Sequence, residues 1–189
     1  MPYCHASVIP PVIGYLRQRK PTRILDCGCG WAQFGMLFRM HAEIMQGGIF
    51  HAPQTWKCTL VGVDVHQPYI VPGLHGYVYD HVYIGELLDM ARRALLPRAQ
   101  FIYLGDVLEH FSDDDGEALL ALLFRLCDGA LVISTPLKPS AQGAEYQNEY
   151  ERHRSRWDVE DLGRIAAGYG GRLNVLATGP LCLVAALEK

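Results

Sequence analysis

Residues 23–35, Arg23-Ile24-Leu25-Asp26-Cys27-Gly28-Cys29-Gly30-Trp31-Ala32-Gln33-Phe34-Gly35, constrain the fold more than any other stretch of the chain. Ile24 and Leu25 read as the end of a buried strand, a Gly-x-Gly turn follows, and residues 34–40 open a helix. Glycine has no Cβ and tolerates positive φ, so such a turn lets the backbone come close to a ligand. The helix start behind it offers unpaired N–H groups and the positive end of a dipole. In an open α/β sheet, ligands bind at this place, outside the carboxyl end of the first strand.

The dinucleotide fingerprint G-x-G-x-x-G is incomplete, because its third glycine falls at Gln33 and the next glycine is Gly35. A site that presses a pyrophosphate onto the helix end would want that glycine. Asp26, two residues before Gly28, stands where a phosphate would be repelled and a cationic group welcomed. Nicotinamide dinucleotides carry an anionic pyrophosphate, whereas S-adenosylmethionine carries an ammonium and a sulfonium. Asp26 is also placed to cap the turn through the loop N–H groups, and the two roles are compatible.

This segment resembles motif I of the class I S-adenosylmethionine-dependent methyltransferases, L-D-x-G-C-G-x-G. Leu25, Asp26, Gly28, Cys29 and Gly30 match it, and Ala32 stands where the last glycine usually sits. Residues 58–63 read as a buried second strand ended by Asp64, whose two oxygens suit both ribose hydroxyls and reject a 2′-phosphate. The interval from Gly28 to Asp64 exceeds the roughly 20 residues of the dinucleotide pattern, and residues 49–57 account for the excess. Gly62-Val63-Asp64 resembles motif II, with Val65 next to it and residues 66–69 along the adenosine edge; Pro68-Tyr69 would pack on the sugar or adenine.

Residues 82–84 read as strand three, followed by Gly85-Glu86. The resemblance puts Glu86 where an acid accepts the adenine amino group; by itself Glu86 also reads as charge at the start of a helix over 87–94. Residues 100–104 form an apolar fourth strand, and Gly105-Asp106-Val107-Leu108-Glu109-His110-Phe111 resembles the family's D-V-L-E-H-F segment. Asp106 then faces the first strand across the topological switch point, where the transferable group must sit. Ser112 with Asp113, Asp114 and Asp115 starts a helix running to 126.

Residues 130–134 are strand five, and Ser134-Thr135-Pro136 resembles the family's S-T-P segment. Residues 137–157 lack apolar periodicity, and Pro139, Gly143, Tyr146, Asn148 and Tyr150 suggest a substrate lid. His153-x-Ser155-x-Trp157 resembles an arrangement found before the next helix, at about Asp158, with Trp157 as packing. Arg152, Arg154 and Arg156 alternate, so an extended chain puts them on one face, either against an anionic substrate or as a solvated edge. Residues 173–177 and 181–187, joined by Gly179-Pro180, predict a closing antiparallel pair. At the other end, residues 1–22 supply a lead-in helix over 6–19 with Pro10-Pro11 in its first turn, read first as plain packing against the sheet; in related folds such a helix helps cover the cofactor, which would bring Tyr3 and His5 to the site. Residues 34–45 are an amphipathic helix stopped by Gly47-Gly48.

A chain of 189 residues fits one domain, 1–189, and its net charge of −3 gives no basic footprint for nucleic acid. No apolar run approaches the roughly 20 residues of a membrane span, and the N-terminus lacks a secretory pattern. Six scattered cysteines fit a reducing cytoplasm, and Cys27-x-Cys29 lacks structural zinc spacing, so no metal is expected.

The resemblance covers about residues 23–187. It implies an α/β, Rossmann-like three-layer αβα sandwich: a mostly parallel seven-stranded sheet with an antiparallel C-terminal hairpin. It implies S-adenosyl-L-methionine as cofactor, held by Asp26, Gly28, Cys29, Gly30, Asp64, Val65, Glu86, Asp106 and Val107, and methyl transfer to a small-molecule or glycan-type acceptor. A hydroxyl acceptor needs a base, for which His110 and His153 are the candidates. No N-P-P-Y-like tetrapeptide follows the fourth strand, which points away from DNA bases and protein amides. Neither a nucleic-acid nor a membrane partner is expected, and no oligomeric state is implied. The competing readings are an adenosyl-binding module without turnover and an NAD-dependent oxidoreductase. The missing glycine, Asp26 and the closing hairpin oppose the second.

Overall fold

The computed structural model describes residues 4–137, 142–145 and 147–189. Strands Arg23–Cys27 (β1), Thr59–Asp64 (β2), His81–Ile84 (β3), Ala99–Gly105 (β4), Cys127–Pro136 (β5), Arg172–Thr178 (β6) and Cys182–Glu188 (β7) form one sheet in the order β3-β2-β1-β4-β5-β7-β6. The first five are mutually parallel, and β7 runs antiparallel to both β5 and β6. This is the sheet that the resemblance implies. Its chain order reverses between β1 and β4, which leaves a crevice at their carboxyl ends.

Helices Ile9–Arg19 (α1), Gln33–Arg39 (α2) and Pro72–Val78 (α3) cover one face; Leu87–Arg92 (α4), Asp113–Leu126 (α5) and Val159–Gly168 (α6) cover the other. Strand alternation distributes the core. Phe101 and Tyr103 point to the α1–α3 side with Phe34 and Phe38, while Ile102 and Leu104 point to the α4–α6 side with Leu119 and Leu123. Both faces are buried, so the central strands read as unbroken apolar runs rather than alternating ones. Ser112 caps α5, its side chain accepting from the Asp115 N–H, and Asp158 with Asp161 forms a capping box at α6. No helix of the described residues is long and apolar enough to cross a membrane.

Two elements depart from the expectation. The periodic run over 34–45 ends as α-helix at Arg39 and continues as a π-turn, Met40–Ile44. The short helix α3 has Pro72 in its first turn but contains Gly73 and Gly76, so it shows no apolar stripe to read. The π-turn lies beside a buried cation, Arg39. Its Nε–H donates to the Val78 carbonyl (2.9 Å), Nη1–H to the Cys58 carbonyl (2.8 Å) and Nη2–H to Asp80 (3.0 Å), with Trp56 stacked at 4.7 Å. Glu43 accepts from the N–H groups of Lys57 and Cys58. Together these two side chains tie the long crossover to the starts of β2 and β3. Removing Arg39 would strand two buried carbonyls, so Arg39→Ala should cost about 3 kcal/mol. For a domain of this size that lowers the thermal midpoint by roughly 6–12 °C, a shift calorimetry would measure.

Candidate active site

A cavity of about 320 Å³ opens at the carboxyl ends of β1 and β4. Its floor is the turn after β1, where Gly28 (φ +77°) and Gly30 (φ +47°) take the left-handed conformation. A Cβ on Gly28 would lie 2.2 Å from Val107 Cγ2, so only glycine lets the two carboxyl ends meet this closely. The loop amides are already engaged. Gly28 N–H and Cys29 N–H both donate to the Val63 carbonyl (2.8 and 3.0 Å), and Gly30 N–H donates to Asp64 Oδ2 (2.8 Å). Below the turn, His75 accepts the Val71 N–H on Nδ1 (3.0 Å) and donates from Nε2 to the Gly30 carbonyl (2.9 Å). A phosphate nest needs such amides free; this loop keeps them inside the protein.

What faces the cavity instead is a ring of acids. Asp26, at the end of β1, accepts the Tyr79 hydroxyl (2.6 Å), which passes over Gly35 and Gly62 because neither carries a Cβ. Burial pushes Asp26 up to about 7; the Tyr79 bond opposes this rise, and the neighbouring Asp64 charge adds to it. Asp64, at the end of β2, also accepts the His66 N–H on Oδ1 (2.8 Å). Each of its oxygens therefore holds one backbone amide and keeps one lone pair for a ligand. Burial raises Asp64 too, against those two amide bonds.

Of the two readings of Glu86, the helix-start charge is seen directly. Glu86 lines the cavity, and its oxygens cap α4 by accepting from Leu88 N–H (3.0 Å) and Asp89 N–H (2.6 Å). Asp106 follows β4 at φ +51°, with its N–H on the Ser134 carbonyl (2.9 Å). Ser134 Oγ–H donates to its carboxylate (3.3 Å), and Tyr103 and Cys4 extend the chain of contacts towards the N-terminal segment. Burial raises Asp106, and the Cys4, Ser134 and His5 N–H bonds hold it back.

The far wall comes from residues 147–157. Glu151 is buried and accepts the Tyr69 hydroxyl (3.0 Å); Asn148, Tyr150 and Arg154 line the cavity beside it. Glu109 carbonyl accepts both the Arg154 N–H (2.8 Å) and the Ser155 N–H (3.2 Å), which lays this segment against the end of β4. His110 lines the cavity, and its ring lies 5.1 Å from that of His153. Burial pushes His110 down to about 4.

Asp26, Gly28, Cys29, Gly30, Asp64, Val65, Glu86, Asp106, Val107 and His110 thus line one cavity, and His153 stands next to it. Of the alternating arginines, Arg154 lines the cavity, Arg152 pairs with Glu149 (2.9 Å) and Arg156 is exposed. Trp157 is core, packed on Gly116. His5 reaches Asp106 by its backbone N–H, while its side chain bonds Ser7; Tyr3, Pro139 and Tyr146 lie outside the described residues. The cysteines are all free, and burial holds Cys27 and Cys29 as thiols. Tyr79, Glu151 and His75 are site residues that the sequence did not announce; Tyr69, read along the adenosine edge, lines the cavity, and Glu109 was quoted in its motif without a role.

A family model described as a methyltransferase domain matches residues 7–174. No curated protein matches the chain. Among solved structures, the fold is similar to that of an O-methyltransferase family protein from Burkholderia thailandensis (13% identity, TM-score 0.65); the match covers 96% of this chain and 56% of that one. The DhpI–SAM–HEP complex is similar at 14% identity and TM-score 0.70, covering 97% of this chain and 86% of that one. The small RNA methyltransferase HEN1 is similar at 16% identity and TM-score 0.62, covering 97% of this chain and 25% of that one. At these identities the likeness is one of fold.

Proposed function

The chain belongs to the methyltransferase-domain family, and on that premise we propose that it moves a methyl group from S-adenosyl-L-methionine to a hydroxyl oxygen of a small-molecule or glycan-type acceptor. The observation that carries this reading is the pairing of an amide-satisfied glycine loop with the buried carboxylates of Asp26 and Asp64. That donor set repels a pyrophosphate and suits a cation with ribose hydroxyls.

Bound S-adenosyl-L-methionine supplies a methyl group on a sulfonium, already a strong electrophile, so alignment and water exclusion carry much of the rate. In this reading Asp64 uses its spare lone pairs on the ribose, and Asp26 faces the cationic amino-acid end. Glu86 lies at the adenine end, while Gly28, Cys29, Gly30, Val65 and Val107 supply close walls. Asp106 borders the place of transfer. His110 and His153 stand on the acceptor side, where a hydroxyl must give up its proton. Of the segment read as a lid, residues 147–157 stand over that acceptor side, and residues 138–141 and 146 lie outside the described residues. The net charge of −3 supplies no electrostatic draw for an RNA acceptor.

Calorimetric titration of S-adenosyl-L-methionine, S-adenosylhomocysteine and NADH into the protein tests the cofactor. Binding of both adenosyl compounds without NADH is expected, and NADH binding alone would sink the reading. Mass-spectrometric screening for a 14-Da gain on hydroxyl-bearing acceptors then tests the reaction, with amine and RNA acceptors as the competing outcomes.

A further inference from the structure

Glu109, His110 and His153 form a cluster apart from the residues assigned above to the cofactor. One carboxylate oxygen and one ring nitrogen from each histidine all lie within 4.8 Å of one another. The geometry points to a site for one first-row divalent transition ion, of the Mn²⁺, Co²⁺ and Zn²⁺ class, held by these three side chains at the acceptor wall of the cavity.

Two imidazoles and one carboxylate are the donor set that suits such ions; Ca²⁺ and Mg²⁺ prefer oxygen ligands alone. Ligand atoms on one ion with bonds of about 2.1 Å stand roughly 3.4 Å apart, so small rotamer adjustments close the cluster. The second layer is already in place. A metal-binding histidine usually donates its other ring N–H to a carbonyl or carboxylate. His110 Nδ1 lies 3.3 Å from the Arg152 carbonyl, an arrangement that aims the Nε2 lone pair elsewhere. His153 is fixed at its backbone, where its N–H donates to the Gln142 carbonyl (3.2 Å). Thr135 Oγ1–H orients Glu109 (3.4 Å), and the Arg154 and Ser155 amides on the Glu109 carbonyl lock the two ligand segments together.

Glu109 is 1% exposed, and the Asp106 carboxylate lies close enough to add to the effect of its burial. Three protein ligands leave open positions, and His110 borders the cavity. Resting here on the hydroxyl-acceptor reading, those positions take the acceptor oxygen, and the ion lowers the hydroxyl pKa so that its proton passes to solvent. The two histidines then serve as ligands rather than as bases.

The full chain, without S-adenosyl-L-methionine or acceptor, is titrated with Mn²⁺ followed by electron paramagnetic resonance and with Co²⁺ followed by visible absorption. One site is expected, with Mg²⁺ competing poorly. His153→Gln and Glu109→Gln should weaken Co²⁺ binding by at least roughly tenfold, since even indirect supports of a metal site cost that much. Because Glu109 is buried and its variant risks misfolding, His153→Gln is the deciding variant, with S-adenosyl-L-methionine binding as its folding control. Wild-type protein that takes up neither ion at about millimolar concentration, or a His153→Gln protein that binds like wild type, overturns the site. Adenosyl binding is read separately, so failure here leaves the methyltransferase reading standing.

Discussion

Asp64→Ala is expected to weaken S-adenosyl-L-methionine binding by roughly a hundredfold or more, while lowering folding stability by only about 1–2 kcal/mol. The two effects have different origins. A carboxylate bonding a ribose diol contributes about 1.5–3 kcal/mol, or roughly ten- to a hundredfold in affinity. Asp64 also holds Gly30 N–H and His66 N–H, so its loss loosens both the glycine loop and the adenosine edge before any ligand arrives. Those two amide bonds would suggest a larger loss of stability, but burial already raises the Asp64 pKa, so removing the charge relieves a desolvation cost. Asp64→Asn separates the parts. Its oxygen accepts one amide, while its NH₂ group faces another donor, so it should remain folded yet bind little better than alanine. Calorimetric affinity beside the thermal midpoint for both variants makes the check. Wild-type affinity in Asp64→Ala would remove the ribose role from this residue.

The parts of the site that were legible in the sequence are those made by local chain geometry. Asp26, Gly28 and Gly30 lie within one turn, and Asp64 and Asp106 sit at the ends of apolar runs, so strand ends alone place them at one sheet edge. Contacts between distant segments were not legible. Tyr79 reaches Asp26 across 53 positions, and Tyr69 reaches Glu151 across 82. One trace of the first contact does exist in the sequence. Gly35 lies in a helix and Gly62 in a strand, places where glycine is unfavourable unless something approaches closely; the Tyr79 ring is what approaches. Helix α3 escaped because its glycines erase periodicity, and Arg39 escaped because a lone arginine in an amphipathic helix normally faces solvent. Ala32 shows the opposite case. It occupies the motif's last glycine position and still adopts φ +62°, a backbone that alanine takes only at a cost of about 1–2 kcal/mol. The motif therefore prescribes a conformation, which this chain keeps without the residue that favours it.

Asp26 should make adenosyl binding depend on pH across the neutral range, and Asp26→Asn should abolish that dependence. With Asp26 pushed up to about 7 in the free protein, half of the molecules carry it neutral at that pH. A cationic ligand group needs the carboxylate, so the affinity should fall by about tenfold for each pH unit below 7. Binding near neutrality should also release a fraction of a proton, visible as calorimetric heats that vary with buffer. His110 lies outside this window, being held near 4 by burial. Asp64 is also raised, so the asparagine variant is the control that assigns the titration to Asp26. The ligand's own α-amino group titrates near 8, which makes pH 5.5–7.5 the useful range. Stability should move the other way. The folded protein holds this proton more tightly than the unfolded chain, whose aspartate titrates near 3.8, so native stability falls as pH rises from about 4 to about 7. Asp26→Asn keeps an acceptor for the Tyr79 hydroxyl and never ionises, so at pH 7.5 it should be more stable than wild type by roughly 2–4 kcal/mol and yet bind the cofactor at least roughly tenfold more weakly. A gain in stability joined to a loss of binding is what a carboxylate retained for its ligand predicts. A variant that is less stable at pH 7.5, or that keeps the wild-type slope of affinity with pH, would return Asp26 to a purely structural role under Tyr79.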